Sequence, residues 1–115
     1  MSKHDFGTIA ERIIDFRDQR NWKQFHSIKD LLLGLNIEVS ELQELVLWKN
    51  EKEIQSIDKE IIQDELADIF IFLTYIAVHF NIDLLSAVDA KIDKNGKKYP
   101  VDKSFGSNKK YTELE

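Results

Sequence analysis

Two pairs of acids stand where they could do chemistry together. Glu38-Val-Ser-Glu41 and Glu65-Leu-Ala-Asp68 each place carboxylates three residues apart inside otherwise apolar helical patterns. At about 100° per residue, positions i and i+3 share a helix face, so each pair aims two carboxylates at one point. If the two helices pack together, four carboxylates converge in a partly dry site. Anions placed this way repel one another and are expensive to desolvate, so the cluster makes sense as the seat of a cation. Oxygen-only ligands favour a hard ion, Mg²⁺, Mn²⁺ or Ca²⁺. The Glu-x-x-His pairs of di-iron bundles are missing, because neither His26 nor His79 stands three residues after a glutamate. A redox-inert cation is therefore expected.

Two further groups could complete a site. Lys91 and Asn95 lie one helical turn apart, with Lys98 and Tyr99 just beyond. Spacing alone allows a solvated helix end that complements the dipole. The chemical reading is a phosphate grip, since lysine donates charge-assisted hydrogen bonds to phosphate. A carboxylate-held metal beside such a grip is an arrangement for phosphate-ester hydrolysis. The second group is aromatic: Trp22, Phe25 and His26 in one short stretch, and Trp48 at a helix end. They serve equally as core residues or as flat surfaces on which a nucleobase stacks.

The elements that must position these residues are helical. Thr8-Ile-Ala-Glu11 matches a capping box, so the first helix is expected to start at Thr8 and fade near Arg20. Asn21 to His26 has no clear period and reads as a loop. Ser27 precedes Ile28-Lys29-Asp30 as a plausible cap for the second helix. Leu31, Leu35, Leu42 and Leu45 mark its buried stripe. Glu38 falls about 700° after Leu31, roughly 20° short of two full turns, and so points where the leucines point. Glu41 flanks that stripe, and Glu44 falls opposite it. This helix is expected to end just after Trp48, with residues 50–58 as a charged connection. The third helix should run from Ser56 or Asp58 to Phe80, with Ile61, Glu65, Asp68, Phe72 and Tyr75 along one face. Asn81-Ile-Asp83 breaks it, the fourth helix follows, and Asn95-Gly96 is expected to stop that one. From Lys97 onward the pattern reads as an extended basic tail. The predicted fold class is all-α, a four-helix bundle-like arrangement with an extended C-terminal tail, one domain over residues 1–115.

Composition sets the outer limits. Apolar residues make up 43% and charged residues 32%, ordinary for a soluble globular domain. The net charge of −5 lacks the basic footprint of proteins that bind nucleic acids or anionic membranes, so neither partner is expected. The absence of cysteine excludes disulfides and thiolate metal sites. Met1-Ser-Lys-His-Asp shows no charged-then-apolar leader, which makes the cytoplasm the expected address. The apolar run Leu66–Phe80, broken by Asp68, Thr74 and His79, is shorter than the roughly 18 residues of a membrane span. A helix so apolar on all sides belongs at the centre of a bundle or between subunits.

At these residues the sequence resembles the all-α nucleoside triphosphate pyrophosphohydrolases of the MazG and dimeric dUTPase superfamily, whose signature is ExxE, a spacer and ExxD. Within it the resemblance is strongest to the dCTP pyrophosphatase branch. The segments that carry it are Arg17-Asp-Gln-Arg-Asn-Trp22-Lys-Gln-Phe25-His26, Glu38-Val-Ser-Glu41-Leu, and Lys91-Ile-Asp-Lys-Asn95-Gly-Lys-Lys98-Tyr99-Pro-Val, and the likeness extends over residues 12–111. The resemblance implies that Glu38, Glu41, Glu65 and Asp68 hold Mg²⁺, with Mn²⁺ as an alternative. It also implies that Trp22, Phe25, His26 and Trp48 line the base and sugar pocket, and that Lys91, Asn95, Lys98 and Tyr99 meet the phosphates. The implied reaction converts a nucleoside triphosphate to the monophosphate and pyrophosphate, with Glu41 or Glu38 orienting the attacking water. dCTP or a modified pyrimidine nucleotide is the implied substrate, with dUTP or another non-standard nucleotide as the alternative. A homodimer or homotetramer is implied. The chain departs from the resemblance at Ile13 and Phe72, where some relatives carry a histidine and a polar aromatic. The rival from another class is a non-catalytic helical oligomerisation module.

Overall fold

The structure, a computed structural model, describes residues 4–115. The leaderless reading of the N-terminus rests partly on Met1–Lys3, outside the described residues. Helix α1 (Phe6–Gln19) starts three residues earlier than the capping-box pattern suggests. Asp5 is its N-cap, its carboxylate accepting from the Thr8 backbone N–H at 2.8 Å. Aspartate is the stronger cap, so Thr8 is drawn inside the first turn. The chain then turns through Asn21, whose φ of 54° lies in the left-handed region that asparagine tolerates. The expected loop contains a single 3-10 turn at Lys23–Phe25.

Helix α2 (Ile28–Glu44) begins as expected, with the Ser27 hydroxyl accepting from the Asp30 N–H at 3.2 Å. It ends four residues before Trp48. Leu45 and Val46 donate to the carbonyls three residues back, tightening the last turn, and Trp48 takes a φ of 63°. The stretch read as a connection holds a short helix, α3 (Glu51–Gln55). Its reason is legible after the fact: Asn50 and Glu53 form a reciprocal capping box, at 2.9 and 3.2 Å.

Helix α4 (Lys59–His79), capped by the Asp58 carboxylate, has the expected span. It packs most extensively on α2 and less on α1. The interior is small: Phe6, Ala10, Leu31, Tyr75 and Ala77, with Leu31 only 3% exposed. Thr74 is fully buried, its hydroxyl donating to the Phe70 carbonyl at 2.8 Å. The other leucines of the expected stripe, Leu35, Leu42 and Leu45, are half-buried. Among the described residues, no single helix is long and apolar enough to cross a membrane.

One compact unit ends at Ile82, and a second runs Asp83–Glu115. In the second, Asp83 caps α5 (Leu84–Lys98) by accepting from the Ser86 N–H. The helix runs straight through Asn95-Gly96, the expected stop. No left-handed residue occurs there, and a glycine inside a helix costs only about 1 kcal/mol. Termination falls instead to Tyr99, whose backbone (φ −124°, ψ 66°) leaves the helical region, the region that a following proline disfavours. The tail is not simply extended: it holds α6 (Val101–Ser104) and a 3-10 turn at Tyr111–Glu113. Tyr99 and Tyr111 meet edge to face at 6.0 Å, and the Lys98 ammonium sits 4.8 Å over the Tyr111 ring.

Candidate metal and nucleotide site

The packing of α2 on α4 brings Glu38 from the first to Glu65 and Asp68 from the second. One carboxylate oxygen from each lies within 4.8 Å of the others. Glu38 and Glu65 are half-buried, and Asp68 is exposed although its spacing had placed it on the core-facing stripe. Burial pushes the Glu38 carboxyl up to about 7; its protonated form bonds to Glu41, and the charges of Glu41, Asp68 and Glu65 add to the effect. Glu65 is raised too, again first by burial and then by Glu41 and Asp68. Glu38 Oε2 and Glu65 Oε2 are both buried without a hydrogen-bond partner. Buried unpartnered carboxylate oxygens are costly, and a hard cation would satisfy them. The donor set therefore fits a divalent ion. Glu41 interacts with both Glu38 and Glu65 but stands outside this three-residue cluster.

Asp68 also lies at the edge of a cavity of about 750 Å³ between α1 and α4. Its walls are mainly apolar and aromatic, among them Ile13, Phe16, Trp22, Phe72 and Tyr75. Asp68, Phe72 and Tyr75 follow one another at helical spacing, so a single face of α4 carries both a carboxylate of the cluster and the cavity wall. Trp22 is held edge-on to Phe16 with centroids 5.8 Å apart, and the Arg20 guanidinium covers Phe16 at 3.6 Å. His26 also lines the cavity, tilted against Tyr75 at 4.5 Å. Its Nδ1 is buried and unpartnered, and burial followed by Arg17 pushes its pKa below the ordinary value. A neutral imidazole is thus available to a ligand as donor or acceptor.

The aromatic residues singled out from sequence divide accordingly. Trp22 and His26 line the cavity; Phe25 is 63% exposed and does not. Trp48 is 92% exposed on its left-handed turn, also outside the cavity wall. Lys91, Asn95 and Lys98 are exposed along the last two turns of α5, and Tyr99 is half-buried after them. Arg12, Phe16 and Tyr75 line the cavity without having been picked out as site residues. For Tyr75 the signal was present, since it shares the stripe of Glu65 and Asp68. Phe16 falls on the apolar stripe that Ile9, Ile13 and Phe16 give the first helix, which reads as core rather than as a site, and Arg12 has no such signal.

The description of the MazG-like family matches residues 33–114. The chain is 42% identical over 105 residues to dCTP pyrophosphatase 1 of Rattus norvegicus and 39% identical to dCTP pyrophosphatase 1 of Homo sapiens. Each alignment takes in 87% of this chain and 62% of the relative, so the chain spans less than two thirds of the length of these curated relatives. A crystal structure of a pyrophosphatase from Archaeoglobus fulgidus superposes with a TM-score of 0.78 at 32% identity, covering 87% of this chain and 96% of that one. The acid pairs on α2 and α4 fall within the matched region, and the all-helical fold agrees. The chain belongs to the MazG-like family.

Proposed function

We propose that the protein is a divalent-metal-dependent nucleoside triphosphate pyrophosphohydrolase, cleaving between the α and β phosphates to give the monophosphate and pyrophosphate. The observation that carries this is the shared position of Asp68, which joins the carboxylate cluster on one side and the aromatic cavity on the other. A phosphate chain held at the acids would leave its base within reach of Trp22, Phe16 and His26. The pyrophosphatase names of the relatives support the same reaction class.

Glu38, Glu65 and Asp68 would hold Mg²⁺, which when bound supplies charge neutralisation for the phosphates and acidifies water. Glu41, outside the three-residue cluster yet in reach of Glu38, is the residue to orient the attacking water and accept its proton. Water's oxygen then bonds to phosphorus, and the bridging oxygen between the α and β phosphates departs with its electron pair. Lys91, Asn95, Lys98 and Tyr99 would neutralise and hold the phosphates. dCTP or a modified pyrimidine nucleotide is the substrate suggested by the names of the curated relatives. Leu32, Leu33 and Ile37 stand exposed on α2, a pattern that supports a homodimer or dimer of dimers. A panel of nucleoside triphosphates, scored for pyrophosphate with Mg²⁺ and with EDTA, tests the reading. Release of orthophosphate and nucleoside diphosphate, or turnover indifferent to EDTA, would overturn it.

A further inference from the structure

Gly34 on α2 sits directly under the Phe72 ring of α4. A Cβ built on Gly34 would overlap Phe72 Cε1, come within 2.8 Å of Cζ and within 3.1 Å of Cδ1. Carbon atoms in contact rest about 3.5–4.0 Å apart, so no side chain fits at position 34 while the ring stays where it is. Phe72 is also a wall of the cavity, and one helical turn separates Gly34 from Glu38 and Phe72 from Asp68. The recess and the carboxylate cluster therefore lie side by side along the same helix contact. The atoms in conflict belong to the far end of a side chain, not to backbone, and the cavity of about 750 Å³ offers that ring somewhere to go.

We infer that Gly34 is a positioning residue for substrate selection: by giving the Phe72 ring a recess in α2, it holds the ring back and sets how bulky a base the cavity admits. The inference rests on the cavity being the base site. Gly34 acts entirely through Phe72. A methyl group at position 34 swings the ring into the cavity and narrows it, and a smaller residue at 72 widens the cavity and removes the conflict. One methylene of misfit in an apolar pocket changes selectivity by about 10–200-fold, which makes the effect measurable.

The test compares wild type, Gly34→Ala, Phe72→Leu and the double variant, with kcat/KM measured for deoxynucleoside triphosphates carrying one-ring and two-ring bases. Gly34→Ala should lower the two-ring to one-ring ratio about tenfold, mostly through KM. Phe72→Leu should raise that ratio, and the double variant should match Phe72→Leu, because the ring through which Gly34 acts is gone. Equilibrium binding of the matching monophosphates, read by Trp22 fluorescence in a Trp48→Phe background, should give the same order without turnover. If Gly34→Ala alone does not fold, the double variant decides: folding restored by Phe72→Leu, with the ratio of Phe72→Leu alone, supports the inference, and a double variant that stays unfolded or has a clearly lower ratio overturns it. A ratio that moves with Phe72→Leu but ignores Gly34→Ala overturns the role of Gly34 and leaves the base site standing. A ratio that ignores Phe72→Leu as well removes the cavity from the base site, and the inference falls with it.

Discussion

Glu38 carries the clearest electrostatic signature of the site, because its carboxyl is raised from an ordinary 4.5 to about 7 by burial and by its acidic neighbours. A raised carboxyl pKa means that the folded form binds more protons than the unfolded chain near pH 6. Its contribution to stability is fully present below about pH 4.5 and is lost as pH rises through about 7. In EDTA, wild type should therefore lose melting temperature between pH 5 and pH 8 relative to Glu38→Gln, which cannot titrate there. Parallel pH profiles for the two proteins would contradict this. Trp48 gives a second residue-scale prediction. Almost fully exposed, it has little packing to lose, so Trp48→Ala should leave the melting temperature nearly unchanged. If the indole stacks on the base, substrate binding should weaken by about 1–3 kcal/mol, and an unchanged KM would exclude stacking. The convergence of Glu38 and Glu65 was legible in the sequence because a carboxylate at a core-facing helical position is costly without a purpose, whereas Asp68 joins them from an exposed position. Gly34 was not legible, since a glycine in a helix gives no sign of the ring that occupies the space it leaves.

At the scale of elements, the long helices were legible and the short ones were not. α4 announced itself by twenty-odd residues of helical period between Asp58 and Asn81, both of which do terminate it. α3 and α6 are too short to show a period, and only the pairing of Asn50 with Glu53 marked the first. The early end of α2 depends on the left-handed turn at Trp48, a conformation that an aromatic residue does not advertise. α5 carries the residues assigned to the phosphates and is exposed nearly throughout, Leu84 being its one half-buried position. Lys91→Ala and Asn95→Ala should accordingly lower kcat/KM while the melting temperature stays within about 3 °C, since surface changes of this kind usually stay within ±0.5 kcal/mol. Activity losses that track thermal unfolding instead would reduce both residues to helix stabilisers.

For the whole molecule, the notable quantity is how little is buried. Among the described residues five apolar side chains are buried, while large apolar groups stand exposed on every long helix, including Ile61 and Leu66 on α4. A chain of this length normally covers more of its apolar surface than that, and self-association is the economical remedy. Light scattering at micromolar concentration should give a multiple of 13.5 kDa, and Leu33→Glu on α2 should reduce it. A wild-type mass of 13.5 kDa would mean that these side chains are simply solvated.

Gly96 sits inside α5, between the asparagine and the lysine assigned to the phosphates, and beyond its chain neighbours and the helix's own backbone nothing lies within 4 Å of where a Cβ would be. Nothing steric demands a glycine there, so its effect is on time rather than on shape. The amide protons of the final turn, including the Tyr99 N–H that donates to the Asn95 carbonyl, should exchange with deuterium faster than those of the preceding turns. Gly96→Ala should slow that exchange and add about 0.5–1 kcal/mol to the helix. If opening of this turn is what lets pyrophosphate leave, the same substitution should lower kcat for good substrates under saturating conditions, leaving single-turnover cleavage untouched. Equal slowing of both would assign the glycine to the chemical step instead.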